Sequence, residues 1–160
     1  MSIARDTDFG GASFAGTSWF GNASFAGDAA FHKASFTGMA WFAEASFAGV
    51  ALFGEASFGD GPKFTRASFA KEARFDGTSF AEDAEFDNAT FTGIVDFDRA
   101  TFESGASFTG TTVADVEAVQ LMPAGWVVQS EPDASDGRGW IVRDQPERSS
   151  DRDEVGESSC

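Results

Sequence analysis

The sequence predicts an all-β solenoid, and three observations predict it. All nineteen phenylalanines fall in one series, Phe9 to Phe108, whose gaps alternate five and six residues without exception. The residue two places before each ring is small: it is Ala in fourteen of nineteen cases, with Thr7, Ser18, Pro62, Thr78 and Val95 as departures. Extrapolated, the series lands on Ile3 and Val113, so the ordered array is expected over residues 3–113.

Each element follows from that pattern. A small residue, an intervening residue and a Phe make the period-two alternation of a short strand whose first and third side chains share the inner face. Steps of five and six drift around a 3.6-residue turn, and the segment is rich in Gly, Ser and Thr, so a helix is excluded here. Repetition at a fixed interval is the signature of stacked coils. Gly16, Gly27, Gly38, Gly49 and Gly93 stand two residues after a Phe that opens a six-residue gap. They are expected to supply a positive φ at a bulged corner, although Lys71, Glu82 and Ser104 hold equivalent sites.

The stretches Ala23-Ser24-Phe25, Ala34-Ser35-Phe36 and Ala89-Thr90-Phe91 resemble the pentapeptide-repeat family, whose loose motif is A-(D/N)-L-x-x with an inward Leu or Phe. The resemblance covers about two thirds of the chain. It implies a right-handed quadrilateral β-helix in which each repeat forms one face, and the alternating spacing is similar to a Phe-rich subfamily with an eleven-residue double repeat. A coil then takes about twenty-two residues and the array makes about five coils. Sterics favour four faces over two, since four rings fill the centre of a square coil whereas an eleven-residue coil opposes two rings across a narrow interior. Charge agrees. A twenty-two-residue register sets Trp19 beneath Trp41, Lys63 beside Glu85 and Arg74 beside Asp96, while the shorter coil would press Lys63 on Arg74 and Glu85 on Asp96.

The outward positions supply the candidate functional residues. Ser13, Ser24, Ser35, Ser46, Ser57, Ser68, Ser79, Thr90 and Thr101 precede alternate rings and are expected to form polar ladders or to bond corner backbone. A flat ice-binding lattice is disfavoured because such surfaces present paired Thr on each strand. Trp19, Met39 and Trp41 on one face, and Val50 with Leu52 on another, form the candidate interaction surface. The competing reading is that the C-terminal segment folds over them. Because the register already runs at Ile3, no capping helix is expected before the first coil, and two readings stand: a homodimer through that uncapped N-terminal coil, which is favoured slightly, or a piece of a longer repeat array.

Residues 114–143 read as a cap. "TTVADVEAVQLM" suggests a short amphipathic helix, with a degenerate last coil as the alternative, and "GWVVQSEPDASDGRGWIVR" suggests a hairpin docking Trp126 and Trp140 on the body. Residues 144–160 read as a disordered acidic tail.

A formal net charge of −15 argues against direct nucleic-acid binding and against an anionic membrane surface. Apolar runs are too short to span a bilayer and the N-terminus lacks the apolar centre of a signal peptide, so a cytoplasmic protein is expected. The single cysteine, Cys160, allows neither an internal disulfide nor a thiolate metal site. His32 should point outward without a fixed partner, and Asp76, Glu82, Asp83, Glu85 and Asp87 read as outer-face residues, not a convergent metal cage. No catalytic, cofactor-binding or metal residue is assigned, and no enzyme is expected. Two classes remain: a scaffold that binds an unidentified protein partner, and, as the resemblance implies for some members, an acidic DNA mimic that binds a type II topoisomerase such as gyrase. The array holds 15 acidic against 7 basic residues, so its body is only moderately acidic.

Overall fold

The computed structural model describes residues 1–116, 122–130 and 137–144. Within 1–116 the chain winds as a right-handed β-solenoid of about five turns. Its strands are two residues long and pair in parallel with the strand twenty-two residues on, as in Ser24↔Ser46, Ala29↔Ala51, Ser35↔Ser57 and Trp19↔Trp41. Four faces result. The first runs through Ser24–Phe25 and Ser46–Phe47, the second through Ala29–Ala30 and Ala51–Leu52, the third through Ser35–Phe36 and Ser57–Phe58, and the fourth through Ser18–Trp19 and Ala40–Trp41. The first and third faces oppose each other, as do the second and fourth.

The interior is ordered by ring geometry. Along each face successive rings stack nearly parallel one layer apart, as in Phe25 on Phe47 at 4.8 Å and Phe42 on Phe64 at 4.9 Å. The four columns do not contribute equally to the centre. Rings of the second and fourth faces interdigitate across the axis edge to face, with Phe31 to Phe42 at 5.3 Å, Phe42 to Phe53 at 5.4 Å and Phe53 to Phe64 at 5.3 Å. Each of these links is eleven residues long, so the double repeat is the pitch of a central zipper, and the first and third faces flank it. Edge-to-face contact suits the ring quadrupole and adds about 0.5–1.5 kcal/mol per pair beyond area burial. The small residues before the rings are sealed in the spaces between columns, Ala29, Ala40 and Ala51 being fully buried. Where Thr replaces Ala its hydroxyl is satisfied: Thr78 Oγ1 donates to the Phe53 carbonyl at 2.8 Å and Thr111 Oγ1 to that of Phe86 at 2.6 Å.

The corners overturn one expectation. Gly16, Gly27, Gly38, Gly49 and Gly93 do not have positive φ; apart from Gly105 in the last six-residue gap, the positive-φ residues of the array lie instead inside the five-residue gaps, at Gly11, Asn22, Lys33, Glu44, Glu55, Arg66, Gly77, Asn88, Arg99 and Gly110. There the N–H one place further on donates back to the Phe carbonyl, as from Ala56 to Phe53 at 3.0 Å, which closes a four-residue turn of the type that needs a left-handed third residue. At some six-residue corners glycine answers a different demand, although Lys71, Glu82 and Ser104 hold the equivalent sites in other coils. A Cβ on Gly49 would sit 2.4 Å from the backbone of Gly27, and one on Gly38 2.7 Å from that of Gly16. At Gly38 and Gly49 close approach between coils, not φ, disfavours a side chain.

Pro62 interrupts the fourth face. It has no N–H to donate, and only isolated bridges from Trp41 to Lys63 and from Lys63 to Glu85 carry the ladder across this layer. Lys63 and Glu85 form the expected ion pair. Arg74 does stand beside Asp96 in register, but its side chain pairs with Glu72 at 2.8 Å, two residues back on the same strand face. That carboxylate holds the Arg74 guanidinium above its usual range.

At the C-terminal end Trp126–Ser130 and Gly139–Arg143 form an antiparallel hairpin, and the second strand extends the first face by pairing Trp140 with Thr112. Ile141 enters the core, Trp126 packs edge-on against Phe108 at 4.9 Å, and the Arg143 guanidinium lies 5.0 Å over the Trp126 ring. Trp140 departs from the expectation: strand alternation that turns Ile141 inward turns Trp140 out, leaving it 41% exposed. Of the expected helix over 114–125, residues 117–121 lie outside the described residues, and 114–116 and 122–125 are not helical. The hairpin turn at 131–136 and the tail from 145 onward also lie outside them.

Candidate functional site: the outer faces

The fourth face carries the most exposed large apolar side chain of the array. Its outward column reads Trp19, Trp41, Lys63, Glu85 and Ser107 in successive layers. The indoles of Trp19 and Trp41 lie 5.4 Å apart at a 34° tilt, and Trp19 is 71% exposed. Trp41 is half-buried because it lies down against the coil before it, where Gly21 leaves room; a Cβ there would come within 2.7 Å of the indole. Met39 is half-buried at the adjacent corner, its carbonyl accepting the Ser18 N–H at 2.8 Å. The backbone ladder thus fixes the separation of the two tryptophans, and the glycine fixes the pose of one.

Val50 and Leu52 occupy the opposite side. Leu52 sits between Ala30 and Arg74 in the second-face ladder. The Val50 N–H donates to Asp28 Oδ1 at 2.8 Å, continuing a ladder in which Asp28 N–H donates to Asp6 Oδ1 at 2.9 Å. Both side chains are half-buried. The five candidate residues therefore form two separate patches on opposing walls. The described part of the C-terminal segment covers neither, since the hairpin sits on the last coil.

The hydroxyl columns behave differently from expectation. Among the described residues only Thr112 and Thr90 bond to each other, at 3.4 Å, and the serines of these columns make no side-chain hydrogen bond. One layer separates successive hydroxyls, about 4.8 Å, which is too far for a direct bond between two serines.

His32 is exposed and its ring lies flat over Gly10 of the preceding coil, where a Cβ would be 2.2 Å away. It fills a glycine gap. Among the described residues no three His, Cys, Asp or Glu side chains converge in a group able to hold a metal ion, and no helix is long and apolar enough to cross a membrane.

Sequence reasoning missed a notch beside the tryptophans. An open concavity of about 460 Å³ is lined by Thr37, Met39, Gly59, Asp60, Gly61, Lys63, Glu82 and Asp83. The signal was present in "SFGDGPKF": two glycines remove side chains where the Pro removes a ladder bond.

Comparison with known proteins agrees with this geometry. A family model described as Pentapeptide repeats matches residues 64–112 in nine copies. No curated protein and no solved structure matches the chain. The matched segment lies within an unbroken twenty-two-residue register that runs from Ser2↔Ser24 to Thr90↔Thr112. By that match residues 64–112 are similar to pentapeptide repeats, and the coils on either side of them continue the same register.

Proposed function

We propose that the chain is a non-enzymatic scaffold that holds a partner protein on its outer walls, with Trp19, Met39 and Trp41 as the principal contact surface and Val50 with Leu52 as a second one. The observation that supports this most is the exposed tryptophan pair, displayed on a ladder whose spacing the backbone sets. Tryptophan held in advance loses little side-chain freedom on binding and dominates contact energies where it occurs. Trp19→Ala combined with Trp41→Ala should reduce retention of a partner from host extract at least about thirtyfold, the equivalent of ~2 kcal/mol. Ser24→Ala with Ser46→Ala on the first face should leave retention unchanged. Equal retention by both variants would remove the reading.

Self-association is a companion proposal. Ile3, Phe9 and Phe14 are only half-buried, whereas their counterparts Phe25, Phe31 and Phe36 are at most 1% exposed. A second copy stacked on the first coil would cover these rings and pair its strand edges. Sedimentation velocity should then give a dimer that Phe9→Asp dissociates; a monomer at micromolar concentration contradicts it.

The alternative function is an acidic DNA mimic that acts on a type II topoisomerase. A net charge of −15 favours it. A gyrase supercoiling assay decides between the two, because a mimic should inhibit or protect the enzyme and the scaffold should leave it unaffected.

A further inference from the structure

We infer that the fourth face takes an extended, cationic segment of its partner, whose basic side chains meet three carboxylates beside the tryptophan pair. The inference rests on the reading above that this face is the contact surface, and it names the chemistry of what binds there.

Asp60, Glu82 and Asp83 line the notch next to Met39. None of the three enters an ion pair among the described residues, whereas Glu44, Glu55, Glu72, Glu85 and Asp98 each have a cation. Their own bonds are weak or local: Asp60 accepts the neighbouring Gly61 N–H at 2.8 Å, and Glu82 accepts the Ser104 hydroxyl at 3.4 Å. Lys63, the one cation lining the notch, is already neutralised by Glu85. The local field is therefore negative, and its sign selects a positive partner.

Shape points the same way. The notch is open to solvent and lined in part by Gly59 and Gly61, so a long side chain can lie in it with its charged end among the carboxylates. Trp19 and Trp41 offer indole faces to a second such side chain, a contact that a guanidinium makes well. Asp83 stands two layers from Met39 in the same corner column, roughly 10 Å, and an extended chain rising ~3.3 Å per residue spans that distance in three residues. A segment with a basic residue at every third position thus reaches both the indoles and the notch.

The test uses the full chain labelled with ¹⁵N and two acetylated, amidated nine-residue peptides, RGSRGSRGS and EGSEGSEGS, followed by the four indole N–H signals. The arginine peptide should shift Trp19 and Trp41 saturably and leave Trp126 and Trp140 in place, while the glutamate peptide should shift none. Asp60→Asn with Glu82→Gln and Asp83→Asn should weaken the arginine peptide about fivefold or more. Because Asp60 holds a backbone N–H, the Glu82→Gln/Asp83→Asn variant serves as a second version with that bond intact, and it should weaken binding in the same direction. Absence of a saturable shift, equal response to both peptides, or unchanged affinity in both neutralised variants would overturn the inference. Those results leave the contact-surface reading standing, since that reading falls only if the tryptophan variant keeps its partner.

Discussion

Phe53→Ala should destabilise the protein by roughly 4–5 kcal/mol, the upper part of the range for removing a buried aromatic ring. Phe53 is fully buried and belongs to the central zipper. It stacks on Phe31 at 5.0 Å and Phe75 at 5.1 Å and meets Phe42 and Phe64 edge to face at 5.4 and 5.3 Å. None of these can move in to fill the hole, because each is held at its own height by a strand that bonds above and below. Phe58, on a flanking column, stacks on Phe36 at 4.9 Å and Phe80 at 5.3 Å but meets the zipper from one side only. Phe58→Ala should therefore cost less, about 3 kcal/mol. Because a solenoid is stabilised by nearest-neighbour coils, Phe53→Ala should also uncouple its two ends. Urea unfolding followed through Trp19 and Trp41 should then separate from unfolding followed through Trp126. Equal losses for the two variants would mean that the zipper has no special role.

Gly49→Ala should destabilise by about 1–3 kcal/mol, the usual cost of forcing atoms into a filled space, whereas Glu55→Gly should be neutral or stabilising by up to ~1 kcal/mol. The opposite signs come from the two kinds of corner. At Gly49 a Cβ would meet the carbonyl carbon and oxygen of Gly27 at 2.4 Å, and backbone atoms tied into the ladder have little freedom to retreat. At Glu55 the backbone is left-handed with φ of 55°, which penalises any L side chain, and Gly removes that penalty while losing chain entropy on folding. The Lys33–Glu55 pair lost in this variant is 3.8 Å long and exposed on both sides, so it subtracts little. Thermal melting of the two variants against the parent checks both signs. A stabilised Gly49→Ala would show that the coils can separate at that corner.

The corners also show where sequence reasoning falls short. Enrichment of Gly at 16, 27, 38, 49 and 93 was visible, yet a glycine column means either a backbone angle or a near neighbour, and only inter-coil distances tell which. The residues that carry positive φ were hidden because Lys33, Glu44, Glu55, Arg66 and Arg99 are not turn residues by type. Asn22, Asn88, Gly11, Gly77 and Gly110 in the same column were the available signal. Similarly, Arg74 could be assigned a layer but not a partner: Glu72 and Asp96 both lie within reach of a long, flexible side chain, and local geometry favours Glu72.

The candidate site was legible in part. Trp19, Met39 and Trp41 on one wall and Val50 with Leu52 on another followed from the register alone, and the structure keeps the two groups apart. The notch beside Met39 was not anticipated, because a concavity depends on how the side chains of three adjacent layers pack around it.

By itself the sequence determined coil length, the inward side chains and which residues are neighbours between layers, since period-two alternation and register depend on intervals that can be counted. Tertiary structure alone decided that two opposing walls interlock across the axis, that one set of corners is left-handed and the other crowded, and that Trp140 faces outward while Trp126 seals the end. The reason is physical. Those outcomes are set by distances of a few ångströms between segments remote along the chain, and no local pattern records such distances.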